Sequence, residues 1–173
     1  IGFCLVGSEM CIRDSCDDVS TKALTMQLPG LGSPSYMRTA RNKTPVLYDG
    51  KEDEIKIGKG ITLTEGNDVA IIACGVLVHE AIVAAEELKS EGINATVVDM
   101  HTIKPLDTEL VDKLSRQCGA IVTAEDHSVI GGLGGAVAEH VVSSHPVPIE
   151  KIGVNDRFGE SAQAEEMLEL SLI

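Results

Sequence analysis

Two arginines lie close together in a chain that is otherwise strongly acidic. Arg38 and Arg41 belong to Tyr36–Arg41 (YMRTAR), at the end of an extended run, in a protein of formal net charge −13. A guanidinium carries a planar fork of N–H donors that matches the oxygens of a phosphate or a carboxylate. From the residues alone, an ion-paired or solvated arginine is favoured, and a phosphate site is the alternative.

A glycine cluster that follows an apolar strand is the second candidate site. It lies in His127–Gly135 (HSVIGGLGG). Glycines let backbone N–H groups approach an anion, and a helix N terminus adds partial positive charge. Glu125 and Asp126 directly before it would repel an anion, and the spacing is not the full dinucleotide fingerprint. An anion site therefore remains the alternative to close strand–helix packing or a subunit contact. The candidate loop or interface residues are His127, Gly131, Gly132 and Gly134.

The five histidines and five cysteines show no clear catalytic or metal-binding motif. No His-x-x-His or equivalent ligand spacing occurs, and the scattered cysteines predict neither a zinc site nor a disulfide framework. Ser128 follows His127 directly, but neighbours in an extended chain point to opposite faces. His127, at a strand end, is the best acid–base candidate among the histidines. We expect a reduced cytoplasmic protein.

Apolar runs alternate with helical patterns through the second half of the chain. This alternation predicts an α/β fold with a mostly parallel sheet and helices on both faces. The carboxyl ends of the strands then meet at one edge, where such folds bind ligands and where the glycine cluster falls. The predicted strands are Asp68–Cys74, Asn94–Met100, Ala120–Asp126 and Ile149–Val154, and the predicted helices are Leu77–Lys89, Thr108–Gln117 with Asp107 as N-cap, and Gly135–Ser144.

Composition excludes several functions. Aromatic residues make up 2% of the 173 residues and Trp is absent, so Val, Ile, Leu and Ala must form the core. The net charge of −13 argues against nucleic acid, whose phosphates need basic partners, and against anionic membrane surfaces. No apolar run approaches the length of a membrane span.

The chain divides into three parts. Residues 1–15 have no clear periodicity and resemble translated sequencing-adapter text, as do residues 170–173, so both were excluded from fold prediction. Residues 16–60 contain a helical pattern at Cys16–Leu28, an extended run at Ser35–Ala40 and a second at Pro45–Tyr48, followed by a charged linker. Residues 61–173 form a second unit, which is truncated at its end. The fragment before it, residues 16–60, is an incomplete α/β unit.

Five blocks, taken together, resemble the C-terminal half of transketolase in order and spacing. The resemblance runs from about residue 16 to about residue 169. It implies the tail of a pyrimidine-binding domain in residues 16–60 and the transketolase C-terminal domain in residues 61–173. The blocks are Tyr36–Arg41, Asp68–Glu80 (DVAIIACGVLVHE), Thr102–Asp107 (TIKPLD), Thr123–Gly134 (TAEDHSVIGGLG) and Val154–Glu160.

This resemblance implies a thiamine diphosphate-dependent enzyme that transfers a two-carbon ketol unit between sugar phosphates in the pentose phosphate pathway. Arg41 matches the position that contacts the sugar phosphate, with Arg38 as a second candidate. The glycine cluster is not a cofactor site in that family, which supports the packing interpretation. The partner is a second copy in a homodimer, or an N-terminal subunit if the enzyme is split.

The resemblance also implies that the cofactor chemistry lies outside this chain. The activating glutamate, the catalytic histidines, and the ligands of the diphosphate and of a divalent metal (Mg or Ca) all belong upstream. We therefore expect this chain alone to bind no thiamine diphosphate and to be inactive.

Other families remain open at this point. Deoxyxylulose-phosphate synthase and the β subunit of a 2-oxo-acid dehydrogenase share the domain and the cofactor, although the Arg-Thr-Ala-Arg block followed by Thr-Ile-Lys-Pro-Leu-Asp favours transketolase. A non-catalytic α/β module that binds a partner or a regulatory ligand is the alternative from a different class.

Overall fold

A computed structural model describes residues 11–40 and 43–156. Strands and helices alternate through most of this part of the chain, and none of its helices is long and apolar enough to cross a membrane. The strands are β1 (Cys11–Asp14), β2 (Ser35–Arg38), β3 (Ile61–Thr64), β4 (Val69–Ala73), β5 (Ala95–Asp99), β6 (Thr102–Lys104), β7 (Ile121–Ser128) and β8 (Ile149–Val154), and the helices are α1 (Asp18–Gln27), α2 (Leu77–Ser90), α3 (Thr108–Cys118) and α4 (Leu133–Ser143).

Five strands form the main sheet, in the order β3-β5-β4-β7-β8. Strands β4, β5, β7 and β8 run parallel, and β3 pairs with β5 in the antiparallel direction. The prediction of a mostly parallel sheet is confirmed. Strand β3 was not predicted, because Ile61–Thr64 is short and follows a charged segment that reads as a linker.

Helices cover both faces of this sheet, as predicted. Side chains of a strand alternate between its two faces, and β4 shows this clearly. Ile71 and Ala73 belong to one apolar cluster together with Leu77 and Ala81 of α2. Ala70 and Ile72 belong to the other cluster, with α3 and α4.

Local sequence signals place most element boundaries within two residues. Asp107 caps α3 as predicted, since its Oδ1 accepts a hydrogen bond from the backbone N–H of Leu110 at 3.2 Å. Helix α4 begins at Leu133, two residues before the predicted start. The prediction of an extended run at Pro45–Tyr48 gave no strand, but Tyr48 is buried, with 1% of its surface exposed.

A second, three-stranded sheet has the order β2-β1-β6 and joins the two predicted units. Strand β1 pairs parallel with β2 and antiparallel with β6. Cys16, Leu24, Tyr48 and Ile55 pack in the same apolar cluster as Leu77 of α2. The described part of residues 11–60 therefore shares a hydrophobic core with the main sheet, and the domain boundary near residue 60 stays a prediction.

The exclusion of residues 1–15 from the fold is corrected in part by the structure. Cys11–Asp14 forms the central strand of the small sheet, and Arg13, Asp14 and Ser15 are buried. Residues 1–10 and 157–173, which include the predicted adapter-like tail, lie outside the described residues. A foreign origin of residues 1–15 concerns where the sequence came from rather than how it folds, and it stays a prediction.

Candidate functional site

Charged side chains gather at the carboxyl edge of the main sheet, where β7 ends beside β2. We name this group the carboxyl-edge cluster. Arg38 lies at its centre: Nη2 is 2.6 Å from Asp14 Oδ2, Nε is 3.2 Å from Asp14 Oδ1, and Nη2 also donates to Asp126 Oδ1. The members of the cluster are Asp14, Arg38, Glu125, Asp126 and His127.

Electrostatics favour the charged forms of Arg38 and Asp126 within this cluster. Burial opposes the charge on Arg38, but hydrogen bonds and charge interactions with Asp14 and Asp126 outweigh it and raise the pKa of the guanidinium. Burial likewise opposes ionisation of Asp126, but its contacts with His127 and Arg38 prevail and lower its pKa. The pair between Arg38 and Asp126 therefore stays ionised around neutral pH.

Of the two candidate phosphate-binding arginines, the structure describes only Arg38. Arg38 has its donors directed at two carboxylates, which argues against a direct contact with substrate phosphate and favours the ion-paired interpretation. Arg41 lies outside the described residues, so its predicted contact with the sugar phosphate stays a prediction.

The start of α4, where the glycine cluster lies, is filled by a carboxylate of the protein itself. Glu125 is fully buried, and its two oxygens accept hydrogen bonds from the backbone N–H groups of Leu133 at 2.7 Å and Gly134 at 2.8 Å. His127 Nε2 lies 3.2 Å from Glu125 Oε2. An external anion would have to displace Glu125, so the structure speaks against the anion-site interpretation.

Glycine is required at Gly132 because the Glu125 carboxylate approaches so closely. A Cβ built at Gly132 would overlap that carboxylate, and one built at Gly134 would lie 2.8 Å from Thr123 Oγ1. The glycine pattern therefore marks tight strand–helix packing. Sequence reasoning treated Glu125 only as a repulsive neighbour, although a carboxylate just before a glycine-rich helix start is also the signal of an internal cap.

Replacing Gly132 by alanine is expected to lower the free energy of unfolding by about 1–3 kcal/mol, because the added methyl group must push the buried Glu125 carboxylate away from its donors. Gly135→Ala is the matched control, since a Cβ at Gly135 meets open space. It should raise stability by about 0.5–1 kcal/mol, as alanine does inside a helix. Urea unfolding of both variants measures the difference, and equal effects would contradict this account of the loop.

One group of side chains has metal-ligand character. Single ligand atoms of Asp14, Cys74 and His127 lie within 4.8 Å of one another. Burial raises the pKa of the Cys74 thiol well above its usual value, which disfavours the thiolate that metals bind. Arg38 already pairs with Asp14 and would repel a cation. We therefore assign no metal to this group.

A cavity of about 590 Å³ opens beside the segment that follows β2. We name it the β2 cavity. Thr39, Ala40 and Lys43 line one side, and Asp17 and Lys22 of the α1 region line the other. Asp17 is the N-cap of α1 and also accepts hydrogen bonds from the backbone N–H groups of Leu47 and Tyr48, at 2.8 and 3.1 Å. The cavity wall is thus tied to the start of α1.

A buried aspartate lies at the carboxyl end of β5. Asp99 is fully buried, and its Oδ2 accepts hydrogen bonds from the Tyr48 hydroxyl at 2.8 Å and from the Cys16 thiol at 3.4 Å. Its Oδ1 has no partner among the described residues. Burial raises the pKa of Asp99 to about 7. Sequence reasoning missed this residue, although an acid ending an apolar strand (ATVVD) was the available signal.

Comparison with known proteins identifies the family. Residues 58–173 match the family model described as "Transketolase, C-terminal domain". The chain belongs to the transketolase family. A 6-deoxy-6-sulfo-D-fructose transketolase subunit from Clostridium sp. is 44% identical over 151 residues, which is 87% of this chain and 47% of that protein.

Further relatives of the transketolase-family chain fall into two groups. A transketolase C-terminal section from Methanocaldococcus jannaschii is 44% identical over 88% of this chain and 48% of that protein. The 1-deoxy-D-xylulose-5-phosphate synthase of Crocosphaera subtropica is 40% identical over 76% of this chain but only 21% of that enzyme. The chain therefore spans about half the length of the split subunits it matches and about a fifth of the synthase.

Solved structures agree with this assignment. A split-gene transketolase, described as an inactive beta4 tetramer, superposes with a TM-score of 0.90 at 42% identity and covers 94% of this chain and 53% of that one. The transketolase of Pichia stipitis matches with a TM-score of 0.70 at 23% identity, over 93% of this chain and 23% of that one, which shows the shared fold.

Transketolase-family enzymes use thiamine diphosphate, and two groups of residues in this chain can be tested against its diphosphate. A diphosphate needs clustered backbone donors or cations, and the glycine-rich helix start that would supply donors is filled by Glu125. In the carboxyl-edge cluster, Arg38 already pairs with two carboxylates, and a third carboxylate, Glu125, lies beside His127. Neither group is therefore suited to hold a diphosphate.

Proposed function

We propose that the complete protein is a thiamine diphosphate-dependent transketolase that transfers a two-carbon ketol unit between sugar phosphates, and that this chain supplies its C-terminal domain and the segment before it. The observation that carries the proposal is the 44% identity to a split transketolase subunit over 87% of this chain. The family membership supports the chemistry, and Arg41 is the residue we assign to the sugar phosphate.

Two further parts of the proposal follow from the same relatives. The complete enzyme works in the cytoplasm with thiamine diphosphate and a divalent cation, Mg or Ca. It assembles either as a homodimer or with an N-terminal subunit, in line with split subunits among its relatives. The pentose phosphate pathway is the expected setting, although one relative is named as a 6-deoxy-6-sulfo-D-fructose transketolase subunit.

Synthesis of 1-deoxyxylulose 5-phosphate is the second candidate function, because the synthase of Crocosphaera subtropica is 40% identical over 76% of this chain. The two reactions differ in the donor. A 1-deoxy product carries a methyl group at C1, so its donor must supply an acetyl unit, as a decarboxylating 2-oxo acid does. A ketose phosphate supplies a hydroxyacetyl unit instead.

The test uses the complete protein, with its N-terminal subunit if it is split, loaded with thiamine diphosphate and Mg²⁺. Ketose phosphate plus aldose phosphate is compared with pyruvate plus glyceraldehyde 3-phosphate. Ketol transfer without release of CO₂ is the expected result. If pyruvate is the only donor that reacts, the protein is the synthase instead. If neither donor reacts, a non-catalytic module is favoured.

Within that assay, Arg41→Ala should raise the KM for a phosphorylated donor by roughly 10- to 150-fold, since a charge-assisted hydrogen bond contributes about 1.5–3 kcal/mol. The affinity for thiamine diphosphate should hold. Arg116→Ala, at an exposed position of α3, is the matched control and should leave both constants unchanged. An unaltered KM in Arg41→Ala would show that this arginine does not bind the substrate phosphate.

A further inference from the structure

We propose that Asp126 is a positioning residue for substrate binding: through its ion pair with Arg38, it holds the segment after β2 that forms one wall of the β2 cavity. This inference rests on the proposed function, because it takes the sugar phosphate as the ligand bound beside that segment. It adds a role for Asp126, a residue of the C-terminal domain that contacts no substrate itself.

The first step of the argument is the place of Asp126 in the main sheet. It lies in β7, just after Ala124, the last residue of β7 that pairs with β4. The β7–β8 register shifts between Ala124 and Ser128, so an irregularity of the strand falls where Asp126 lies. Such bulges redirect side chains. Glu125 is directed into the protein toward α4, and its neighbour Asp126 is directed toward Arg38.

The second step is that Arg38 has few other attachments to the main sheet. It is the last residue of β2, an edge strand whose one partner within the described residues is β1. Its carbonyl oxygen accepts hydrogen bonds from the backbone N–H and the hydroxyl of Ser15, at 3.4 and 3.3 Å. The contact with Asp126 joins this end of β2 directly to the main sheet.

The third step is that Arg38 directly precedes the cavity wall. Thr39 and Ala40, the next two residues, line the β2 cavity. A displacement of about 1 Å at such a wall is enough to weaken binding of a ligand that needs a fixed geometry. The side chains of Arg38 and Asp126 are 28% and 25% exposed, so water and salt screen their attraction less than that of a fully exposed pair.

Asp14 also binds Arg38, but it lies in the stretch whose foreign origin is predicted. Arg38 and Asp126 both lie between residues 16 and 169, in blocks that resemble the family. Asp126 is therefore the partner that we assign to the complete protein.

The experiment measures steady-state kinetics of the complete holoenzyme with Asp126→Asn. The KM for a ketose phosphate donor should rise about 5- to 20-fold, because the wall segment is no longer held in place. The kcat, the thiamine diphosphate affinity and the KM for an unphosphorylated ketose should stay within about twofold. If Asp126 only stabilised the fold, Asp126→Asn would shift the unfolding transition but would not change the KM for the phosphorylated donor more than the KM for the unphosphorylated one.

Further variants sharpen the result. Asp112→Asn is the matched control: the Asp112 carboxylate also contacts a side chain of another element, at 2.9 Å from His140 Nε2, but on α3. It should leave every kinetic constant unchanged. Asp126→Glu keeps the charge and should recover at least half of the lost affinity. Arg38→Met removes the same ion pair and replaces Asp126→Asn if that variant does not assemble. In a double-mutant cycle, adding Asp126→Asn to Arg38→Met should have little further effect.

The outcomes distinguish this inference from the function on which it rests. A wild-type holoenzyme without ketol transfer overturns both. An active wild type whose Asp126→Asn variant has an unchanged KM for the phosphorylated donor overturns the inference alone. A lower KM in that variant does so too, since it would mean that Arg38, released from Asp126, binds the phosphate itself.

Discussion

Asp99→Asn is expected to stabilise the protein at pH 8. The change that it causes in the free energy of unfolding should be up to about 4 kcal/mol more favourable at pH 8 than at pH 4. The reason is that Asp99 is fully buried and its pKa is raised to about 7, first by burial, whereas a carboxyl group in the unfolded chain has a pKa of 3.8. The folded protein therefore favours the protonated form, and ionisation of Asp99 works against folding.

The direction of the pH dependence follows from proton counts. Between pH 3.8 and about 7, the folded state retains a proton on Asp99 that the unfolded state has lost. The contribution of this group to stability is therefore fully present below pH 3.8 and is lost as the pH rises to 7. Asparagine does not titrate, so the variant lacks this loss.

Chemical denaturation of wild type and variant at several pH values measures the effect as a difference, which removes the contribution of the other acids. Asp53→Asn, at an exposed position of the 3₁₀ turn Glu52–Glu54, is the matched control and should follow the wild-type curve. A constant difference between wild type and Asp99→Asn from pH 4 to 8 would show that Asp99 titrates normally in the folded protein.

Arg13→Met should stabilise the 173-residue chain by about 2–4 kcal/mol, because it removes a charge that is buried without a partner. Arg13 is fully buried, and its three guanidinium nitrogens have no hydrogen-bond partner among the described residues. With burial as the larger cause, its charge also lowers the pKa of the buried His101, to about 4. Methionine keeps most of the volume and loses the unsatisfied donors.

Urea unfolding of Arg13→Met and of Arg116→Met, an exposed arginine in the last turn of α3, provides the comparison. The exposed substitution should change stability by no more than about 0.5 kcal/mol. A loss of stability in Arg13→Met would mean that the guanidinium has a partner in the folded chain. A gain would fit a residue that does not belong to the natural strand, as the predicted foreign origin of residues 1–15 requires.

Periodicity was sufficient for the four parallel strands of the main sheet but not for β1, β3 and β6. Continuous apolar runs such as β4 and β5 show that both faces are buried, and the α2 pattern shows which face packs, so these elements were predicted within one or two residues. Strands β1, β3 and β6 have three or four residues each, and strands this short carry little periodicity. Pairing with distant parts of the chain determines them instead.

The candidate site shows the same limit. Arg38 was visible as a residue type, yet its partner Asp126 lies 88 positions later in the sequence. The partners of the buried Asp99 could not be predicted, because Cys16 and Tyr48 precede the main sheet in the sequence. The type of a residue suggests several possible roles, and its tertiary contacts determine which of them it has.

The shared core has a practical meaning for anyone who dissects this protein. The family match begins at residue 58, which invites a recombinant piece that starts there. Such a piece would lack Cys16, Leu24, Tyr48 and Ile55, and would leave Leu77 and its neighbours on α2 facing solvent. It would also leave the Asp99 carboxylate without Tyr48 and Cys16. A recombinant piece that keeps this core intact therefore has to begin before Cys16 rather than at the start of the family match.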